Sequence, residues 1–342
     1  MTSAKKRITI IDVAAQAGVS HQTVSRVINN SPNVNEETRR RVQQVIADLN
    51  YRPSLAARSL PGRRSFVIGF IVPYDPDYLI RDPHLLAQIG GADAEANTQG
   101  YNLILSTAGD SKRGLGAYER FVRNQVGDGA LVIETASSKA GGELLANQDY
   151  PYVSLGRDLG NPNAYMVSSD NQDGGKQATR HLLAIGHQRI GIINGPPIGA
   201  IAGLQERLDG HQQALTDAGL SFDPNLMVFG DYTRHSGELA IQQLLALPDP
   251  PTAIFSLNDR MAMGAVRALQ MAGLRVPEDV AVVGYDDIPA AADFYPALTT
   301  VNQAAWKVGQ LSAQMLFKLI AGDKIEEKEV IIPAELIVRE SS

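Results

Sequence analysis

The 342-residue chain contains no cysteine, which excludes disulfide scaffolds, thiolate nucleophiles and cysteine-ligated metals. Its histidines, at positions 21, 84, 181, 187, 211 and 235, show neither an HExxH pattern nor paired i, i+4 spacing, so no metal site is expected. The glycine pairs Gly141-Gly142 and Gly174-Gly175 do not form GxGxxG behind a strand, so no dinucleotide, and no other cofactor, is expected. No apolar run approaches the roughly 18 residues of a spanning helix. The start, MTSAKKRITI, lacks the apolar core of about 7–15 residues that marks a signal peptide. The chain therefore reads as cytoplasmic. Asp286-Asp287 imitates a catalytic carboxylate pair without an activated nucleophile beside it. Met261, Met263 and Met271 fall at the spacing of a helix core rather than a cofactor box. The expectation is that this is not an enzyme.

Charge is unevenly divided. Residues 1–64 hold eleven Lys/Arg against four Asp/Glu, while the remainder holds 20 against 33, so a net charge of −6 conceals a basic head on an acidic body. Such a split suits a nucleic-acid-binding module joined to a soluble core.

The head has a pattern of its own. Ala14, Ala17, Gly18 and Val19 suit a tight turn between two helices, because small residues permit close crossing and Gly18 can take positive φ. Ser20 is placed to cap the following helix, whose buried stripe would be Val24, Val27 and Ile28. Its opposite face presents His21, Gln22, Ser25, Arg26 and Asn29, side chains suited to base edges in a major groove. His21, Gln22 and Arg26 are the expected base contacts, Gln22 suiting adenine and Arg26 guanine. Thr9, Ser20, Thr23, Ser25, Asn29, Asn30 and the arginines around Arg39 complete the DNA-facing set, mainly toward phosphates. A third helix is expected after a cap at Asn35, with Val42, Val45, Ile46 and Leu49 inward. Residues 53–64 then form a separate hinge. Pro53 and Pro61-Gly62 bound the segment SLAARSL, too short to hold a helix alone in water. It is expected to fold when two copies pack on DNA, with Ala57 and Leu60 at the minor groove and Leu60 as an apolar wedge.

From residue 65 to 342, Val/Ile-rich runs alternate with amphipathic segments. The runs are Phe66–Val72, Asn102–Leu105, Ala130–Ile133, Tyr152–Leu155, Ile190–Ile193, Ala253–Phe255 and Val280–Val283. The helical segments include Gly174–Ile185, with Ala178 and Leu182 inward, and Arg260–Met271, with Ala265, Val266 and Leu269 inward. This is an α/β core of parallel sheets covered on both faces, long enough for two doubly wound lobes. Ligands of such sheets bind beyond the carboxyl ends of the strands, here in the cleft between lobes.

DVAAQAGVSHQTVSRVIN, NYRPSLAARSL, GHQRIGIINGP, TAIFSLNDRMAMGAVRAL and VAVVGYDDIPAAADFYPALTTVNQ occur in an order that resembles the LacI–GalR family of bacterial transcription regulators along essentially the whole chain. The resemblance implies a type I periplasmic-binding-protein-like core whose chain crosses between lobes near Ser168, Thr300 and Val330. It also implies a homodimer on pseudo-palindromic operator double-stranded DNA, most simply a repressor released by a saccharide-type effector. Family positions matching Asn258 and Asp286 bind ligand hydroxyls, one matching Tyr232 stacks on the ring, and Gln303, Tyr74 and Gln205 join the candidate contacts. Asp259 and Asp287 are the expected helix caps. Two departures bear on the ligand. Gln205 stands where relatives carry an arginine before the Arg of ERLxG, and LGRD offers Gly156 and Arg157 where relatives place a carboxylate after the fourth strand. A pocket short of one cation and one anion is expected to take a larger neutral saccharide, or a different ligand altogether. The chain stops at LIVRESS without a heptad tail, so a dimer is expected rather than a tetramer. A corepressor type that binds DNA only when liganded, for instance by a purine, a solute-binding protein and a sugar-modifying enzyme are the competing readings.

Overall fold

The computed structural model describes residues 8–28, 31–49, 51, 64–108, 115–124, 127–135, 138–157, 161, 163–196 and 201–342. The chain divides into two compact units, residues 1–65 and 66–342. Asn29, Asn30 and the hinge positions Ala57 and Leu60 lie outside the described residues.

The head comprises α1 (Ile10–Ala17), α2 (His21–Ile28) and α3 (Glu36–Asp48). Each start has a side-chain cause. The Asp12 amide donates to Thr9 Oγ1 at 3.4 Å, while Asp12 Oδ2 accepts from the Thr9 amide at 2.7 Å, a reciprocal capping box. The Thr23 amide donates to Ser20 Oγ at 3.2 Å, and the Thr38 amide donates to Asn35 Oδ1 at 2.8 Å. Gly18 ends α1 at φ 64°, where a side chain would be strained. Val13, Ala14, Ala17, Val24, Val27, Val42, Val45 and Tyr51 make the core. Ile28, Ile46 and Leu49, expected inside, are half-buried at its margin.

In the larger unit the strands are β1 (Val67–Val72), β2 (Asn102–Thr107), β3 (Gly129–Ile133), β4 (Tyr152–Leu155), β5 (Tyr165–Ser169), β6 (Ile190–Asn194), β7 (Met227–Phe229), β8 (Ala253–Ser256), β9 (Ala281–Val283), β10 (Thr300–Asn302), β11 (Glu329–Ile332) and β12 (Glu335–Ile337). The first lobe is a parallel sheet ordered β11-β5-β4-β3-β1-β2, and the second is ordered β7-β6-β8-β9 with an antiparallel β10-β12 pair beside it. β1, β3 and β4 are buried along their whole length, as strands covered on both faces must be. The chain passes between lobes from β5 into the helix Asn171–Ala184, from β10 into the helix Ala305–Ala321, and from β11 into β12. These points lie within a few residues of the expected crossings.

The helix Asn171–Ala184 crosses the helix Ala202–Asp217 at a pair of glycines. A Cβ on Gly175 would meet the carbonyl of Arg207, and one on Gly210 would meet the carbonyl of Gln172. Ala178, Leu182, Ala265, Val266 and Leu269 are buried as expected, and so are Met261 and Met263. Met271 is not. It closes its helix with 76% of its surface exposed, because the last turn runs past the edge of the core.

Candidate functional site

In the head, His21, Gln22 and Arg26 are exposed on α2, with Thr23 and Ser25 half-buried beside them and Val24 and Val27 fixing the opposite face. The helix therefore presents its polar face to solvent. Ser20 and Thr23 hydroxyls lie 3.0 Å apart and hydrogen-bond to each other, and Thr9 is committed to Asp12. Arg39 is a correction to the phosphate-facing set. Its Nη2 donates to the Ser31 carbonyl at 2.6 Å, pinning the turn before α3, and its side chain is 13% exposed. Arg40 and Arg41 remain exposed.

In the larger unit the loops beyond the strands' carboxyl ends enclose roughly 860 Å³ between the lobes, mouth included. Tyr74, Tyr232, Asn258, Asp286 and Gln303 all line this cavity. Gln205 does not. It sits on the exposed side of its helix with its amide 2.7 Å from Asp209, because two residues along a helix turn a side chain away from the face that Arg207 occupies.

Arg207 organises the polar half of the cavity and was missed in the sequence. Its Nε donates to Asn171 Oδ1 at 2.9 Å, Nη1 to the Leu257 carbonyl at 2.7 Å and Nη2 to Gln303 Oε1 at 2.9 Å, while the guanidinium lies 3.9 Å over the Tyr285 ring. Gln303 in turn donates to Asp286 Oδ1 at 2.5 Å. Asp286 is held at φ 123° and Tyr232 at φ 67°, conformations that cost side-chain-bearing residues energy and that cluster at functional sites. Burial pushes the Asp286 carboxyl upward from its ordinary range, against the pull of Arg207. Asn258 both lines the cavity and caps its helix. Its Oδ1 accepts from the Met261 amide at 2.9 Å and its Nδ2 donates to the Tyr232 carbonyl at 3.3 Å. The expected caps behave otherwise. Asp259 accepts from the Ile288 amide and the Thr300 hydroxyl, and Asp287 pairs with Arg339 at 2.7 Å, so both tie down the loop after β9.

The expected shortage of an anion is also corrected, whereas among the described residues no second cation joins Arg207 in the lining. The carboxylate is supplied by Glu134, directly after β3 rather than β4, and burial pushes its pKa up to about 7. It reaches the other lobe, accepting from the Ala202 amide at the start of the helix Ala202–Asp217. Asp82 pairs with Arg260 across the lobes at 3.2 Å, and Arg157 pairs with Glu206 at 2.9 Å. Arg260 lies 5.4 Å over the Tyr78 ring, and Tyr78 packs on Tyr74 with centroids 4.7 Å apart, making an aromatic wall from the segment after β1. These residues were hard to find because charges on loops after different strands have no sequence spacing in common. Among the described residues, no helix is long and apolar enough to cross a membrane.

Residues 9–54 match the bacterial regulatory protein, lacI family model, and residues 179–342 match the periplasmic binding protein-like domain model. Over 341 residues the chain is 38% identical to the HTH-type transcriptional regulator CelR of Thermobifida fusca, covering 98% of this chain and 99% of that one. A solved transcriptional regulator CelR–cellobiose complex superimposes with a TM-score of 0.76 at 36% identity, covering 98% of this chain and all of that one. The lac repressor dimer bound to operator and an anti-inducer superimposes with a TM-score of 0.84 at 30% identity, covering 98% and 99%. A helix-turn-helix head, two doubly wound lobes with three crossings, and likeness along the full chain converge: this protein belongs to the LacI family of DNA-binding transcription regulators, with a ligand-binding core of the type I periplasmic-binding-protein kind.

Proposed function

We propose that this chain is a cytoplasmic operator-binding repressor without a catalytic step, acting as a homodimer and released when a neutral saccharide of two or more rings enters the interlobe cavity. The observation that carries the reading is the composition of that cavity. Tyr74, Tyr78 and Tyr232 offer ring faces, and Asp286, Glu134, Asn258 and Gln303 surround them. Carboxylates accept and amides do both, so this set suits a ligand rich in hydroxyl donors whose C–H faces lie on aromatic rings. An anionic ligand is disfavoured, because Arg207 is bound to three acceptors and Arg260 to Asp82. The likeness to a regulator solved with cellobiose supports the same class. In the head, Gln22 and Arg26 are the proposed base readers, with His21 beside them, and Leu60 the minor-groove wedge. Closure of the lobes on ligand shifts the equilibrium of the elements next to the hinge, and so the pairing of two heads on DNA.

A thermal-shift series on the full chain with cellobiose, related oligosaccharides and nucleobases tests the ligand, since a ligand that binds only the folded state raises the melting temperature. The expected result is stabilisation by the saccharide and loss of operator binding in its presence. Asp286→Ala should abolish that release while leaving operator affinity without sugar unchanged. Stabilisation by a nucleobase, with DNA binding lost in Asp286→Ala, would instead establish the corepressor mode.

A further inference from the structure

His84 occupies the second position of the helix Pro83–Thr98 in the first lobe, with its ring in the interlobe cavity. One turn on, Gln88 is buried and places its Nε2 3.1 Å from the ring Nε2. An amide nitrogen only donates, so the ring Nε2 accepts. Burial, and then Arg207, hold the ring's proton affinity well below the ordinary histidine range against the pull of Asp82, which keeps the imidazole neutral. A neutral imidazole whose Nε2 accepts carries its proton on Nδ1. That Nδ1 is buried and has no hydrogen-bond partner. It faces Asp286 Oδ1 of the other lobe at 3.9 Å. The separation is too long for a direct hydrogen bond, but one oxygen at about 2.8 Å from each atom spans it. The bridging group must accept from Nδ1–H and donate to a carboxylate, and a hydroxyl does both.

We propose that His84 is a specificity-determining effector residue, donating from Nδ1 to one ligand hydroxyl whose own proton is given to Asp286, so that a single hydroxyl ties the first lobe to the second. The proposal rests on the saccharide reading of the cavity and adds to it a residue and an orientation. It also separates binding from signalling. A sugar lacking that one hydroxyl still lies on the tyrosines and bonds to Asn258 and Gln303, but it leaves the two lobes unlinked.

Calorimetric titration of the full chain with cellobiose and its monodeoxy derivatives tests this, using wild type, His84→Phe, His84→Asn and His84→Gln. His84→Phe should weaken cellobiose binding at least tenfold. His84→Asn, whose amide nitrogen falls near the position of Nδ1, should recover most of the loss, whereas His84→Gln, which reaches toward Nε2, should not. One monodeoxy sugar should bind wild type at least tenfold more weakly than cellobiose yet show little further loss with His84→Phe, the non-additivity expected of partners in one contact. Equal affinity of wild type and His84→Phe for cellobiose, or strict additivity across all the deoxy sugars, overturns the role of His84 and leaves the saccharide reading intact. Absence of any saccharide binding by wild type overturns both. The deoxy series on wild type alone keeps the proposal testable if a variant folds poorly.

Discussion

Glu134 carries two opposed effects on one carboxylate. Its backbone partners, Ala202 and Gly203, open the helix Ala202–Asp217, which has no side-chain cap of its own at Ile201. A helix N-terminus favours an anion. Burial opposes this and dominates, lifting the pKa to about 7, with nearby Glu206 pushing the same way. The folded chain therefore binds the proton more tightly than an unfolded one, whose carboxyl titrates at the ordinary value of 4.5. The stabilisation from this site is complete below that lower value and is lost as the pH rises through about 7. Glu134→Gln keeps an acceptor oxygen but removes the charge. It should raise the melting temperature by several degrees at pH 8, equivalent to about 1–3 kcal/mol, and change it little at pH 5. Scanning fluorimetry of the full chain across pH reads this directly. A lower melting temperature at pH 8 would mean that the charged cap outweighs its desolvation.

At the scale of elements, helix crossings set where the cavity residues stand. Arg207 is placed by the contact of Gly175 and Gly210, where two helix backbones meet without side chains between them. Gly175→Ala forces the helices apart, an overpacking that costs about 1–3 kcal/mol, and it displaces the carbonyl of the very residue that holds Asn171 and Gln303. Saccharide affinity should fall sharply while operator binding without sugar stays near wild type, as gel shift with and without ligand would reveal. Unchanged affinity would show that the helix pair relaxes without moving Arg207. Elements with strong periodic signals were legible from residues alone. The caps at Ser20 and Asn35, the stripe of Val24 and Val27, and the Val/Ile strands all follow local rules. β5, β7 and β10 were not seen as strands. β7 and β10 have three residues each, too few to show a strand period, and YMVSS in β5 carries two serines that interrupt its apolar run.

For the whole molecule, the charge division between a basic head and an acidic core points DNA at one end of the chain and keeps it off the other. In the proposed dimer two heads address half-sites at a fixed spacing. One extra base pair at the centre of a pseudo-palindromic operator rotates one half-site by about 34–36° relative to the other. Affinity in a gel shift should drop at least tenfold. Unaltered binding would mean that the heads engage their half-sites independently.

Much of this protein was determined by its sequence alone: a helix-turn-helix head, a doubly wound two-lobed core, the approximate crossings, and five of six proposed effector residues within one cavity. The head, the strands and the helix faces depend on local periodicity, capping and strand-end placement, which act over a few residues, whereas the crossings and the effector residues follow from the resemblance to the LacI–GalR family. Tertiary structure decided which charges meet. Glu134 replaces a carboxylate sought after β4, Arg207 rather than Gln205 faces the ligand space, and Arg39 serves a turn instead of a phosphate surface. The pairs Asp82–Arg260, Arg157–Glu206 and His84–Asp286 join residues far apart in the chain and brought together only by lobe packing. Periodicity fixes a side chain's face on its own element. Its partner across a cleft depends on how two independently wound sheets come to rest against each other.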